Sequence, residues 1–404
     1  MNGIKTRTRT RRRRVEGANA VYTLRMLDSL FKKSVAFVRS EPMPGVAFLC
    51  AAVSCFFVPA GHDFFATIDL RVLALLFCLM AAVDGLRSAG LFSRCARVLI
   101  EKTNGLRALS FVLVALPFFA SMLVTNDVAL LAFVPFAVVS LSAAKATRHL
   151  PRVIVLQAIA ANIGGMVTPM GNPQNLFLYT AFGIPLPDFL ATLLPFAAAT
   201  LLALGLACFG LKGEIAPLKT SLGDQPLKKG RAAAYGAFFL LCLAAVVRII
   251  PYQALFVLTI IGLLAFDRTA LRRIDYGLLA TFVCFFVFSG NIASIPPIAH
   301  ALASMMETAP FLASAAISQV ISNVPAAVLL APFAVDWQPL LLGVDLGGLG
   351  TPIASLASLI ALRLYLHTPD ADFARVMKEF VAANAIGLAG LVLLYCALHG
   401  ITAL

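Results

Sequence analysis

Apolar runs long enough, or nearly so, to cross a hydrocarbon layer of about 30 Å recur at roughly 44–60, 70–86, 152–181, 188–211, 232–250, 253–266, 275–293, 339–364 and 383–400. They predict nine helical crossings and an all-α polytopic membrane protein. Two further apolar stretches, 108–143 and 310–335, carry a polar triplet at mid-point: Thr125-Asn126-Asp127 in the first and Ser322-Asn323-Val324 in the second. Each is read as two spans or as one re-entrant hairpin. Residues 21–40 follow another pattern, with Leu24, Leu27, Leu30, Phe31, Val35 and Val38 at helical spacing opposite Arg25, Lys32, Lys33 and Arg39. That predicts an interfacial helix too polar to span.

Composition narrows the class. With 60% apolar and 13% charged residues and a mean hydropathy of +0.92, a water-soluble protein is excluded. Lys5, Arg7, Arg9 and Arg11 to Arg14 supply seven charges of the net +13. Val15-Glu16-Gly17-Ala18-Asn19 follows them in place of the apolar core of an export signal, so the tail reads as a cytoplasmic anchor to anionic lipid. The other basic residues sit in short gaps between apolar runs, which argues for membrane sidedness and against nucleic acid as a partner. Eight scattered cysteines, with no CxxC pair, read as small core residues and give no disulfide framework or zinc site.

Charge also sets topology. If the tail is cytoplasmic, the gap 61–69 falls outside and has no Lys or Arg, while 87–107 falls inside with Arg87, Arg94, Arg97, Lys102 and Arg107. Lys145, Arg148 and Arg152 put 144–152 inside as well, so the segment between must leave and return on one side. The alternation continues with 182–187 outside, 212–231 inside with five basic residues, 251–252 outside, and Arg268, Arg272 and Arg273 inside. The gaps flanking the second triplet, 294–310 and 336–339, have no Lys or Arg, and Arg363, Arg375 and Lys378 return the chain to the cytoplasm. Arg248, near an outer end, is expected to snorkel. The N-terminus is thus cytoplasmic, the C-terminus outside, and the two triplets enter from opposite faces.

The chain also repeats itself. Val124 to Val138 aligns with Ile321 to Val335 at six identities in 15 positions, and Asn162 to Pro169 aligns with Asp345 to Pro352 at four in eight. Opposite sidedness makes this an inverted-topology repeat, an architecture typical of secondary transporters. The domains are then 1–43 (basic tail and interfacial helix), 44–211 (first repeat, hairpin 108–143, broken helix 152–181), 212–231 (cytoplasmic linker) and 232–404 (second repeat, hairpin 310–335, broken helix 339–364). Gly164-Gly165, Thr168-Pro169 and Gly171-Asn172-Pro173 interrupt one span, and Gly347-Gly348 with Thr351-Pro352 the other. Broken helices persist at membrane depth only where the freed N–H and C=O groups face protein or a polar cavity. Freed carbonyls suit Na⁺, and half-helix N-termini suit an anion. Pro173 and Pro352 are placed to begin the half-helices, with Asn172 and Thr351 as caps.

Among single residues, Asn126 and Asn323 stand at matched positions as ligands or as interhelical glue. Asp127 is a carboxylate at mid-membrane, costing about 2.5 to 3.5 kcal/mol unless a cation or proton offsets it. Asp345 takes the repeat position of Asn162 and reads as site or outer vestibule. Gln174 and Asn175 line the first broken helix, and Asp84 reads as a helix-end group.

Thr125-Asn126-Asp127, Gly164-Gly165 through Asn175, Ser322-Asn323 and Gly347 through Pro352 resemble the ion transporter superfamily, which includes divalent anion/sodium symporters, citrate-type carriers, arsenite permeases and one class of sodium/proton antiporter. The resemblance covers nearly all the chain from about 44 onward. It implies that Thr125, Asn126, Ser322 and Asn323, with Asn172, Asn175 and Thr351, bind substrate. Asn126, Asp127, Asn162, Gly165, Thr168, Asn323, Asp345 and Gly348 would then hold the coupling cation, with Na⁺ possible at Asp127. It further implies an elevator-type homodimer. Two departures stand out: Val324 lacks the third hydroxyl of the second triplet, and Asp127 puts a carboxylate in the first, closer to the arsenite permease branch.

The function expected is a Na⁺- or H⁺-coupled carrier of a small anion such as a carboxylate, in a bacterial inner membrane, with a sodium/proton antiporter or arsenite exporter as the alternative. No HExxH, GxSxG or intramembrane His-carboxylate pair supports an enzyme, and nothing binds a redox cofactor. A channel would want an open polar ring. The topology predicts that single cysteines at Ser142 and Ser304, in a cysteine-free background, label from opposite faces with an impermeant reagent; labelling of both from one face rejects the inverted repeat.

Overall fold

The computed structural model describes residues 42–58, 67–213 and 226–400. The arginine tail, the interfacial helix expected at 21–40 and most of the 212–231 linker lie outside the described residues. Every regular element among the described residues is helical. The first half contains α1 (Pro42–Cys55), α2 (Leu70–Ser88), α3 (Leu91–Ile100), α4 (Leu106–Ser121), α5 (Asn126–Ala143), α6 (Leu150–Met166), α7 (Pro173–Ala181) and α8 (Leu186–Phe209). The second contains α9 (Lys229–Val246), α10 (Tyr252–Phe266), α11 (Arg268–Leu271), α12 (Tyr276–Ala293), α13 (Pro296–Thr308), α14 (Pro310–Ile321), α15 (Asn323–Leu330), α16 (Trp337–Leu346), α17 (Leu356–Leu366) and α18 (Phe373–His399).

Local chemistry sets the ends. The Asp69 carboxylate accepts from the Arg71 and Val72 N–H groups at 2.9 and 3.1 Å and opens α2. Asp275 and Asp372 cap α12 and α18 in the same way. Of the nine expected crossings, four are single helices long and apolar enough to span: α8, α9, α12 and α18. α2 and α3 meet at a 54° bend and together have the length and apolar character of a broken span or a re-entrant loop. α1 and α10 have 14 and 15 residues, or about 21 to 23 Å at 1.5 Å per residue. The runs 152–181 and 339–364 divide into α6 with α7 and α16 with α17. α5, one arm of the first expected hairpin, is by itself long enough to cross, whereas α14 and α15 in the second hairpin have 12 and eight residues.

Two sets of helices pack mainly among themselves. In one, α1 lies against α12 and α2 against α9 and α10. In the other, α4 packs on α6 and α14 on α16, with α8 and α18 beside them. The half-helices cross over between the halves of the chain: α17 lies against α5 and α6, and α7 against α15.

A charged cluster ties the first set together. Asp84, 8% exposed, accepts from Arg273 Nε at 2.6 Å and from Arg87 at 3.2 Å. Asp267 bonds Arg231, Tyr235 (2.7 Å) and Thr269 (2.7 Å). Burial pushes the Asp267 carboxyl up, but those two hydroxyls and the Arg231 and Arg273 guanidinium groups outweigh it and hold the carboxyl at about 2. Arg248 does more than snorkel: it donates to the Tyr179 and Gly183 carbonyls, both at 3.0 Å, and so caps the C-terminus of α7.

Close packing of the second set depends on glycine. A Cβ at Gly164 would lie 2.1 Å from the Phe118 carbonyl oxygen, and one at Gly347 would lie 2.8 Å from Ala315 Cα. Gly164→Ala and Gly347→Ala should therefore each destabilise by about 1–3 kcal/mol, seen as a lower Tm of the purified protein. Gly262→Ala, with nothing within 4 Å, should not lower it.

Candidate functional site

The first break runs from Val167 to Asn172, and its loose groups find partners close by. The Asn126 N–H donates to the Gly171 carbonyl at 3.1 Å, Asn175 Nδ2 donates to the Met166 carbonyl at 2.9 Å, and the Thr168 hydroxyl donates to the Met122 carbonyl. A Cβ at Gly171 would stand 2.2 Å from the Gly165 oxygen and 2.4 Å from that of Ser121, so glycine is needed for the chain to fold back. Asn172 is the N-cap residue of α7. With its amide assigned from the network, it donates to the Gly171 carbonyl at 2.8 Å and accepts from the Met166 N–H at 3.2 Å. The opposite orientation reaches only the Asn162 carbonyl, at 3.3 Å.

The second break departs from expectation. Pro352 opens a single 3₁₀ turn, Pro352–Ala354, and the half-helix starts at Leu356 with Ser355 as its N-cap residue. Thr351 instead donates its hydroxyl to the Gln319 carbonyl at 2.9 Å. Gln319 Nε2 then donates to the Gly347 and Leu349 carbonyls at 2.6 and 2.9 Å. The carbonyls of Met166, Gly347 and Leu349 thus accept from side-chain amides. Gly348 packs against Asn323, its Cβ position 3.1 Å from Asn323 Nδ2. Gln319 gave no signal in the sequence, because its repeat partner is Met122.

The two breaks are joined through buried polar side chains. Asn126 Nδ2 donates to Asn162 Oδ1 at 3.1 Å, Ser355 donates to the same oxygen at 2.6 Å, and Asn162 Nδ2 lies 3.4 Å from Ser358 Oγ. On the other side Gln174 Nε2 donates to Asp345 Oδ1 at 3.0 Å, and the Asn175 side chain lies beside the same carboxyl. At the tips, Asn126 Oδ1 accepts from the Asp127 N–H and Asn323 Oδ1 from the Val324 N–H, both at 2.9 Å. Ser322 holds φ of +75°, a region that favours glycine, and its hydroxyl donates to the Ala354 carbonyl at 3.3 Å. Asn126 and Asn323 do not bond each other; the halves meet through Asn162. Ser355 and Ser358 are the site residues that sequence reasoning missed.

Thr125 and Asp127 face a cavity of about 880 Å³, which Met170 and α17 also line. Arg87, Arg273, Arg363 and His367 line it too, with Asp84 and Asp275. The sequence offers Asp127 no nearby basic residue, but α17 brings Arg363 into the same cavity. Cutting the cross-link at its centre is the direct test. Asn162→Ala leaves the Asn126 amide and the Ser355 hydroxyl buried without their shared acceptor, at about 1–3 kcal/mol for each group. A double-mutant cycle with Ser355→Ala should return a coupling of about 0.5–3 kcal/mol, read by thermal or chemical unfolding.

Comparison with known proteins identifies the family. A family model described as citrate transporter matches residues 35–363. A transporter of Methanocaldococcus jannaschii is 30% identical over 303 residues, covering 75% of this chain and 83% of that protein. The inner membrane protein YbiR of Escherichia coli is 30% identical over 318 residues, covering 76% and 84%. The silicon efflux transporter LSI3 of Oryza sativa is 33% identical over 211 residues, covering 50% of this chain and 43% of its own. With the family model spanning most of its length and the helix breaks in place, the chain belongs to the citrate transporter family of the ion transporter superfamily, and is a membrane transporter, not an enzyme.

Proposed function

We propose that the protein is a secondary active carrier that couples Na⁺ or H⁺ to the movement of a small anion such as a carboxylate. The observation that carries this reading is the pair of helix breaks, each stitched to the half-helix of the other, with the Thr125–Asp127 tip facing a cavity. Support for the inverted repeat comes from contacts at positions paired by the sequence alignment. Thr168 on the Met122 carbonyl corresponds to Thr351 on that of Gln319. Gly164 against Phe118 corresponds to Gly347 against Ala315, and Asn162 with Ser358 corresponds to Asp345 with Asn175.

In this reading the two tips are opposed re-entrant hairpins, and the cavity faces the cytoplasm, since Arg87, Arg273 and Arg363 all belong to segments the positive-inside rule puts there. Thr125, Asn126, Asn172, Asn175, Ser322, Asn323 and Thr351 serve the anion; Asp127 and Asp345, with Asn162, Gly165, Thr168 and Gly348, serve the cation. The division into two helix sets supports an elevator, in which α1, α2, α9, α10 and α12 stand still in a homodimer. The membrane is a bacterial inner membrane, with the N-terminus inside and the C-terminus outside.

A second reading draws on the Asn126-Asp127 pair, which puts a carboxylate in the cavity as in the arsenite permease branch, and on the silicon efflux relative. It makes the protein an arsenite exporter or sodium/proton antiporter. Reconstituted vesicles separate the two: citrate accumulation driven by a Na⁺ or pH gradient supports the first, arsenite or Na⁺ extrusion supports the second, and no flux of any of them rejects both. Asn126→Ala and Asn323→Ala should each abolish flux while the protein still folds. Asp127→Asn should lose cation-driven accumulation and, if the cycle is electrogenic, part of its voltage dependence, one charge being worth about 2.3 kcal/mol per 100 mV.

A further inference from the structure

We propose that Asp345 is the proton-binding group of this carrier, and that Gln174 and Asn175 of the opposite half-helix register whether the proton is there. The inference rests on the carrier reading above and deepens it by naming the coupling ion.

Asp345 lies in the last turn of α16, at the edge of the second break, and is 4% exposed. Its repeat counterpart Asn162 is fully engaged, its oxygen accepting from Asn126 and Ser355 and its nitrogen donating to Ser358. At Asp345 only one oxygen is served in this way, by Gln174 Nε2 at 3.0 Å. Asp345 Oδ2 is buried without a hydrogen-bond partner, and so is Asn175 Oδ1, whose Nδ2 is spent on the Met166 carbonyl. The Asn175 side chain lies beside the same carboxyl, but its donor is spent on Met166, so Asp345 Oδ2 has no donor. A proton on Asp345 Oδ2 removes the charge that would otherwise be buried there without a partner. Na⁺ fits less well, because it needs a cage of oxygens and Gln174 already directs an N–H at the carboxyl.

No charge takes the proton's place. α14 and α15 have no acidic or basic side chain. α6 has only Arg152, exposed in its first turn, and α7 only Tyr179, which lies under Arg248. α18 has Arg375, Lys378 and Glu379 in its first two turns, with Tyr395 and His399 stacked at its far end. When the proton leaves to the water of whichever side is open, the buried carboxylate keeps only the Gln174 amide of α7 as a donor. The first turn of α7 must then shift or admit water, and that motion ties protonation to the break.

Infrared difference spectra of the purified full-length protein, recorded across a pH titration without substrate, read the carboxylic acid directly. Wild type should show a protonated carboxyl band that disappears as the pH rises; Asp345→Asn should lack it, Asp345→Glu should keep it shifted, and Asp127→Asn should leave it unchanged. Asparagine occupies the counterpart position, so Asp345→Asn should fold, with transport that no longer responds to a pH gradient. A band that persists in Asp345→Asn overturns the proposal. So does a wild type with no titrating band whose Tm rises with Na⁺ only while Asp345 is present. The spectrum needs no flux, so a titrating Asp345 in a protein that moves neither citrate nor arsenite would sink the carrier reading and leave Asp345 a proton site without a coupling role.

Discussion

A helix that stops halfway through hydrocarbon leaves carbonyls or N–H groups with no water to bond, at a cost of several kcal/mol for each unsatisfied group. Two apolar runs of this chain break inside buried packing, after Met166 and after Leu346, and the disposal of the freed groups organises the surrounding structure. Side-chain amides take up carbonyls at the breaks: Asn175 at Met166, Gln319 at Gly347 and Leu349. Hydroxyls of the two Thr-Pro pairs pin the break loops to carbonyls near the hairpin tips. The glycines follow from the same need, because only a backbone without Cβ lets α4 and α14 approach closely enough for these bonds to form.

Much of this was legible in sequence. Apolar runs gave helices, the Gly-Gly and Thr-Pro pairs marked both breaks, and the internal alignment paired Thr168 with Thr351, whose hydroxyls each donate to a backbone carbonyl just before a polar triplet. What escaped was of two kinds. Pro352 carries the ordinary signal for a helix start, yet it makes one 3₁₀ turn, because the true counterpart of the Asn172 cap is Ser355, a residue with no flanking proline. The other omissions were long-range. Nothing local marks Ser358 as the partner of Asn162, or Arg363 as lining the same cavity as Asp127, since those meetings exist only after α17 crosses to the other half.

The two halves are alike in backbone and unlike in charge. Asn162 answers to Asp345, Met122 to Gln319 and Asp127 to Val324, so one half holds a neutral amide beside its break and a carboxylate in its triplet, while the other holds a carboxylate beside its break and an apolar valine in its triplet. Asp127 faces a cavity with arginines, whereas Asp345 is buried against Gln174 of α7.

The crossing of the half-helices also bears on how the protein is made. Asn162 leaves the ribosome long before Ser355 and Ser358, which lie 193 and 196 residues further on. The last half-helix to be synthesised therefore closes the network begun by the first. A chain cut before α17 lacks the hydroxyls of Ser355 and Ser358 and leaves the Asn162 side chain with Asn126 as its remaining side-chain partner.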